Sequence, residues 1–208
     1  RQMCIRDSYY NNAEKNSNHN QTEIDVANRH GDMVSEIIAG TAKGDFAGGV
    51  APGATLHQIH SHNTGDGIFV SEFSDMYARM AANGVKIVNH SLSTPQYEVA
   101  EGKEISGSTL LMGDIQKDAI NNKDQLHIWA SGNQGLANPH DWATISSTRN
   151  DINFGGILVA VATDENGNIA TYANRCGIAA AYCLAAPVDI PVPYGPDSEE
   201  YKPVSYTH

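Results

Sequence analysis

Two residues in this chain combine a reactive side chain with a setting that suits acid–base and oxyanion chemistry. His30 opens the segment His30–Gly40, whose apolar residues follow helical spacing, so a helix backbone would hold the imidazole as a general base. Gly31 leaves room for the close approach of a substrate chain. A histidine at a helix start is more often structural or solvent-facing, so His30 needs support from other residues.

That support comes from Asn133, which lies in the segment Ser131–Gly135 directly after the apolar run Leu126–Ala130. A side-chain amide at this position can donate a hydrogen bond to a developing oxyanion. The alternative is an ordinary asparagine in a glycine turn. In a similar setting, Ser91–Ser93 follows the apolar run Val85–Asn89 and could pair with an extended peptide, unless it is a simple strand end.

The elements that would position these residues alternate between strand and helix patterns. Strand patterns cover 54–60, 85–89, 126–130 and 157–163, helix patterns cover 33–38, 69–81 and 110–120, and a turn at 165–168 leads into 169–172. Residues 9–27 are polar and without periodicity, which predicts a loop. This alternation predicts an α/β fold with a parallel sheet and helices on its faces. Ligands bind at the carboxyl ends of such strands, where Ser91 and Asn133 fall.

Composition narrows the class of partner. The chain has 208 residues, 13 basic and 24 acidic, with a net charge of −11, which suits one domain and disfavours nucleic acid or anionic membranes. His57, His60 and His62 offer a metal-binding alternative, but on a strand His57 faces away from the other two. Cys176 and Cys183 form either a small disulfide loop or two buried thiols.

Both ends of the chain read as translated library adapter. Residues 3–8 can be encoded by ATGTGTATAAGAGACAG plus one base, and residues 204–208, with the end of the Pro203 codon, by the reverse complement of that string. Coincidence is the alternative, since codon choice is free at many positions. We therefore interpret 1–8 and 204–208 as adapter artefacts, leave them out of fold prediction, and take 9–203 as the natural part.

Five segments, in order, resemble motifs of the subtilisin-like (subtilase) serine proteases. The segments are His30–Val34 (HGTxV), Gly49–Pro52 (GVAP), Val88–Ser93 (VINxSL), Ala130–Asn133 (AAGN) and Leu184–Pro187, which resembles the segment before the nucleophile. The resemblance runs from Arg29 to Pro187. It implies a three-layer α/β fold, mostly parallel, with helices on both faces, and makes 9–203 a partial peptidase domain that is incomplete at both ends.

The resemblance also implies an activity and a site. The activity is serine endopeptidase hydrolysis of protein or peptide substrates through an Asp-His-Ser triad, with His30 as general base and Asn133 as oxyanion donor. The implied peptide groove consists of Ser91, Leu92, Ser93, Ala130, Ser131 and Gly132. No cofactor is required for catalysis, and structural calcium is common in the family without a site that can be assigned here.

The triad aspartate and serine are expected outside the natural part of this chain. Asp25 lies too close to His30, Asp7 falls in the adapter segment, and so does Ser205, near where the family's GTSxA segment would begin. The fragment alone would then be inactive. Asp32 and Met33 depart from the family's Thr and His, which leaves a non-catalytic, peptide-binding subtilase-like module as the alternative.

One further resemblance concerns cellular context. Asn174–Gly177 followed by Tyr182–Leu184 resembles the variant found in autotransporter subtilases of Gram-negative bacteria. It implies a Cys176–Cys183 disulfide, because those proteins mature through an oxidising periplasm. It also implies secretion or display on the cell surface, with a C-terminal translocator barrel in the full-length chain.

Overall fold

The main sheet of the computed structural model has a strand order that differs from the order in the chain. The structure describes residues 2–7, 30–60, 70–188, 190–193 and 201–204. Within them, the strands of this sheet are β1 (Gln2–Asp7), β2 (Thr55–His60), β3 (Ile87–His90), β4 (Leu126–Ala130), β5 (Ile157–Thr163) and β6 (Cys183–Pro187). They run in the order β2-β1-β3-β4-β5-β6, and each neighbouring pair is parallel. The predicted α/β fold is confirmed.

The remaining elements connect these strands. The helices are α1 (His30–Ala39), α2 (Glu72–Ala82), α3 (Glu98–Glu101), α4 (Gly107–Asn121) and α5 (Asp141–Thr144), with 3₁₀ turns at Ile145–Thr148, Phe154–Gly156 and Gly177–Tyr182. The strands β7 (Ile190–Pro193) and β8 (Tyr201–Val204) form a separate antiparallel pair. In the part of the chain that the structure describes, no helix is both long and apolar enough to span a membrane.

A hydrophobic core lies between β3–β5 and the helices α2 and α4. Alternate residues of the strands point into it, so that Val88 and His90 of β3 and His127 and Trp129 of β4 are all buried. Phe73 of α2 meets Trp142 edge to face, with ring centroids 5.3 Å apart. Each large apolar side chain buried here contributes roughly 1.5–3 kcal/mol, which fixes the strands whose ends carry the candidate site.

Both end segments of the chain contribute residues to strands. Gln2–Asp7, which we left out of fold prediction, form β1 between β2 and β3, and Val204 lies in β8. The adapter origin of 1–8 and 204–208 stays a prediction, because it concerns the source of the sequence. The loop predicted at 9–27 lies outside the described residues.

Candidate active site

The strand order creates a crevice at one edge of the sheet. From β1 the chain moves to β2 on one side and then returns to β3 on the other side of β1. The connections that follow β1 and β3 therefore leave in opposite directions, and a crevice forms between the carboxyl ends of these two strands. Open α/β sheets bind ligands in such a crevice. Ser91 directly follows β3, and the candidate oxyanion loop directly follows the neighbouring β4.

His30 is the first residue of α1, and its side chain reaches this edge. Its Nε2 lies 3.1 Å from the carbonyl oxygen of Ser91, and the ring is half-buried. A carbonyl only accepts hydrogen bonds, so Nε2 carries a proton in this contact. The structure thus brings the predicted base together with the predicted peptide-binding segment.

The glycine-containing segment after α1 holds that helix in place. The N–H groups of Gly49, Val50 and Ala51 donate to the carbonyls of Gly40, Ile37 and Ile38 at 2.9, 2.9 and 2.7 Å. These bonds satisfy carbonyls that a helix end leaves without partners. A Cβ at Gly49 would lie 2.5 Å from the backbone nitrogen of Ala39, so the close approach requires glycine. The motif at 49–52 therefore anchors the helix that carries His30.

The predicted peptide-binding segment has its side chains turned inward. Ser91 and Leu92 are buried and Ser93 is half-buried. The Asn89 amide donates to Ser91 Oγ at 2.7 Å, which fixes that hydroxyl. A peptide would therefore meet this segment mainly through backbone groups, which is how an added strand binds.

The predicted oxyanion segment forms a tight loop. The Ser131 N–H donates to the Ala160 carbonyl at 2.9 Å, extending the pairing of β4 with β5, and the chain then turns at Gly132, whose φ is +110°. That backbone conformation is open to glycine and strained for other residues. Asn133 follows at the rim and is half-buried, while the Ser131 side chain is fully buried.

Residues that the sequence analysis did not single out join this loop to the chain after β3. Tyr97 donates its hydroxyl to Gln134 Oε1 at 2.8 Å, and the Asn174 amide contacts both. The Asp141 carboxylate accepts the N–H groups of Glu98 and Val99, each at 3.0 Å. Burial raises the pKa of Asp141, and the two backbone hydrogen bonds oppose that shift. No local sequence signal marks these residues, because their partners are distant in the chain.

The cysteine prediction is confirmed. Cys176 and Cys183 form a disulfide with their Cα atoms 5.8 Å apart. It closes the 3₁₀ turn Gly177–Tyr182 onto the start of β6.

The metal-binding alternative gains no support from the part of the chain that the structure describes. There, no group of three or more His, Cys, Asp or Glu side chains is arranged to hold a metal ion. His57 lies on β2, whereas the side chain of His60 and all of His62 fall outside the described residues. The calcium expectation stays a prediction.

Comparison with known proteins identifies a matching family and a curated relative. The family model described as "Subtilase family" matches residues 3–207. The "Neisserial autotransporter lipoprotein NalP" of Neisseria meningitidis serogroup B is 29% identical, over 78% of this chain and 19% of its own length. The chain thus spans about a fifth of that curated relative.

Solved structures show the same fold. The patellamide maturation protease PatA superposes with a TM-score of 0.71 at 19% identity, covering 99% of this chain and 72% of PatA. The MycP3 protease from the type VII (ESX-3) secretion system gives a TM-score of 0.62 at 19% identity, covering 99% and 67%. At this identity the likeness establishes the fold.

Proposed function

The chain belongs to the subtilase family, and on that premise we propose that the natural protein is a serine endopeptidase in which His30 is the general base. The observation that carries the proposal is the 3.1 Å contact between His30 Nε2 and the Ser91 carbonyl. It sets the imidazole beside the backbone that would bind a peptide. In this role His30 takes the proton of the serine hydroxyl and later gives it to the leaving amine.

The base role requires a change in the protonation of His30. In the contact with Ser91, Nε2 is a donor. To accept a serine proton, Nε2 must be free of hydrogen, so the ring proton must sit on Nδ1. A carboxylate that accepts from Nδ1–H selects this tautomer and stabilises the imidazolium that forms. The proposal therefore needs an acidic partner close to α1.

We propose the carboxyl end of β1 as the position of that acid. β1 lies beside β3, whose continuation carries Ser91, and α1 packs against β1. Asp7 is the last residue of β1 in this chain. If residues 1–8 are adapter, the natural protein has its own strand and its own aspartate at this place.

Asn133 is proposed as the side-chain donor to the oxyanion. It follows β4, next to β3, so its loop lies at the same edge as Ser91. Losing such a donor costs a subtilisin about 10²–10³ in kcat. The half-buried position of Asn133 is compatible with an amide that meets both solvent and substrate.

The proposal extends to the class of substrate and to the cellular location of the protein. We propose protein or peptide substrates that bind in a groove lined by Ser91–Ser93 and Ala130–Gly132. The likeness to an autotransporter, together with the disulfide, supports secretion or surface display in a Gram-negative bacterium, with a translocator barrel in the full-length chain.

Hydrolysis of a fluorogenic peptide by the full-length protein tests this proposal. His30→Ala should lower kcat by about 10⁶-fold, the loss that removing the histidine causes in a subtilisin. His57→Ala is the matched control, because it removes another half-buried histidine, on β2, and should leave kcat unchanged. Full activity in His30→Ala would exclude His30 as the base. Peptide binding without any hydrolysis by the wild type would favour the non-catalytic module.

A further inference from the structure

A single buried amide connects the segments on both sides of Asn133. The Asn174 side chain is completely buried, although it follows the surface turn after β5. A buried amide is costly unless its donors and acceptor are used. Asn174 uses them mainly on one short stretch of chain, the loop 131–136, and also contacts the Tyr97 hydroxyl.

The amide oxygen holds the part of the loop that follows Asn133. Oδ1 accepts the N–H of Gln134 at 3.0 Å and the N–H of Leu136 at 2.9 Å. Both are backbone groups, so these bonds fix the path of the chain itself. A carbonyl-type oxygen has two lone pairs, and both are occupied here.

The amide nitrogen holds the part that precedes Asn133. Nδ2 donates to the Ser131 carbonyl at 3.1 Å, and the Asn174 backbone N–H donates to the Gly132 carbonyl at 2.9 Å. Nδ2 also lies 3.2 Å from the Tyr97 hydroxyl and from Gln134 Oε1. The loop is thus held at both ends, and it is also contacted by Tyr97 from the chain after β3.

The Asn174 amide packs tightly against the loop at Gly132. A Cβ added at Gly132 would lie 2.5 Å from Asn174 Nδ2, at a φ of +110° that already favours glycine. Gly132 and Asn174 therefore form a matched pair, in which the missing side chain of one admits the amide of the other.

We propose that Asn174 is a positioning residue for the oxyanion loop, acting through Asn133 without touching the substrate. The inference rests on the proposed function of Asn133. Positional errors of about 1 Å in a catalytic group can cost about a hundredfold in rate. Removing the Asn174 side chain releases three backbone groups around Asn133, the N–H groups of Gln134 and Leu136 and the Ser131 carbonyl, which allows displacement of that size.

A double-mutant cycle in the full-length protein separates positioning from a merely structural role. Asn174→Ala should lower kcat by about 10–100-fold with little change in KM, because the loss concerns the transition state. Adding Asn174→Ala to Asn133→Ala should lower kcat by less than about twofold further, because the amide to be positioned is already gone.

Two further variants test whether the loss of kcat is specific to the contacts of the Asn174 amide. Tyr97→Phe removes only one hydroxyl partner of the Asn174 amide and should lower kcat in the same direction, by a smaller factor. Asn122→Ala is the control, because that amide donates to Asp118 at the exposed end of α4. It precedes the amino end of β4, whereas the loop follows the carboxyl end of that strand, so the substitution should leave kcat unchanged.

Hydrogen exchange provides a readout that does not depend on activity. Asn174→Ala should speed exchange of the Gln134 and Leu136 amides at least tenfold relative to Asn122→Ala, since Oδ1 protects both. Unchanged exchange, or an equal loss of kcat in the Asn133→Ala background, would overturn the positioning role. If Asn133→Ala keeps full kcat, Asn133 is not the oxyanion donor and the proposed function of that residue fails. The exchange rates then show separately whether Asn174 holds the loop.

Discussion

The histidines of this chain occupy two contrasting environments, the edge of the sheet and the hydrophobic core. His30 is half-buried at the sheet edge and contacts a backbone carbonyl. His90 and His127 are fully buried beneath α2, where His90 Nε2 lies 2.9 Å from His127 Nδ1 and the His90 ring stacks on Trp129. Burial lowers the pKa of His127 to about 3. His127 therefore serves as neutral core packing.

The buried histidines predict a loss of stability in acid. An unfolded histidine has a pKa of about 6.5, so below that pH the unfolded state binds more protons than the folded state. Stability then falls as the pH drops from about 6.5 towards the folded pKa values. These are about 3 for His127 and about 4 for His140, which is also fully buried and directly precedes α5. At pH 5 the loss amounts to at most about 2 kcal/mol per histidine.

His127→Asn tests this expectation, because asparagine keeps a polar group near His90 Nε2 and does not titrate. Thermal unfolding of the full-length protein between pH 7.5 and pH 5 should show a smaller decrease in Tm for the variant than for the wild type. An equal decrease would show that His127 does not contribute to the acid sensitivity.

Single residues could be predicted only where their chemistry depends on neighbours in the chain. His30 and Asn133 stand beside glycines and next to apolar segments, so the sequence marks them. Asn174 appeared only as a neighbour of Cys176, because its role depends on backbone groups 38 to 43 residues away. A pairing of that kind arises from the strand order, which local patterns do not contain.

Among the secondary-structure elements, the strands that are mostly buried are the ones that the sequence predicts best. β4 and β5 match their predicted ranges residue for residue, because each is an apolar run bounded by polar residues or glycine. β6 was not predicted as a strand. It lies at the end of the sheet, where Leu184 is 56% exposed, so its sequence shows no alternation. The adapter-like sequence of Gln2–Asp7 conceals the strand β1.

The disulfide is the covalent link between two elements of the domain. Cys176→Ser/Cys183→Ser should lower the free energy of unfolding by about 2 kcal/mol, the value expected for closing a short loop. The comparison is thermal unfolding with and without a reducing agent. Reduction should lower the Tm of the wild type and leave that of the double variant unchanged; a wild type insensitive to reduction would contradict a stabilising disulfide.

For the whole molecule, the sheet order explains why residues far apart in sequence share one edge. β3 and β4 are neighbours, so Ser91 and the loop at Asn133 emerge side by side, and His30 reaches Ser91 from α1. The α/β class could be predicted from the strand and helix alternation, whereas the place of β1 between β2 and β3 could not. We expect the serine of the proposed triad to follow Pro203 in the natural protein.

The most direct test of this account is to treat the full-length natural protein with a fluorophosphonate and to locate the adduct by peptide mass spectrometry. We predict one labelled serine, in a segment that follows the region of Pro203, and loss of labelling in His30→Ala but not in His57→Ala. Labelling that survives His30→Ala would contradict His30 as the general base, and an adduct on a residue within 9–203 would contradict the expected position of the triad serine.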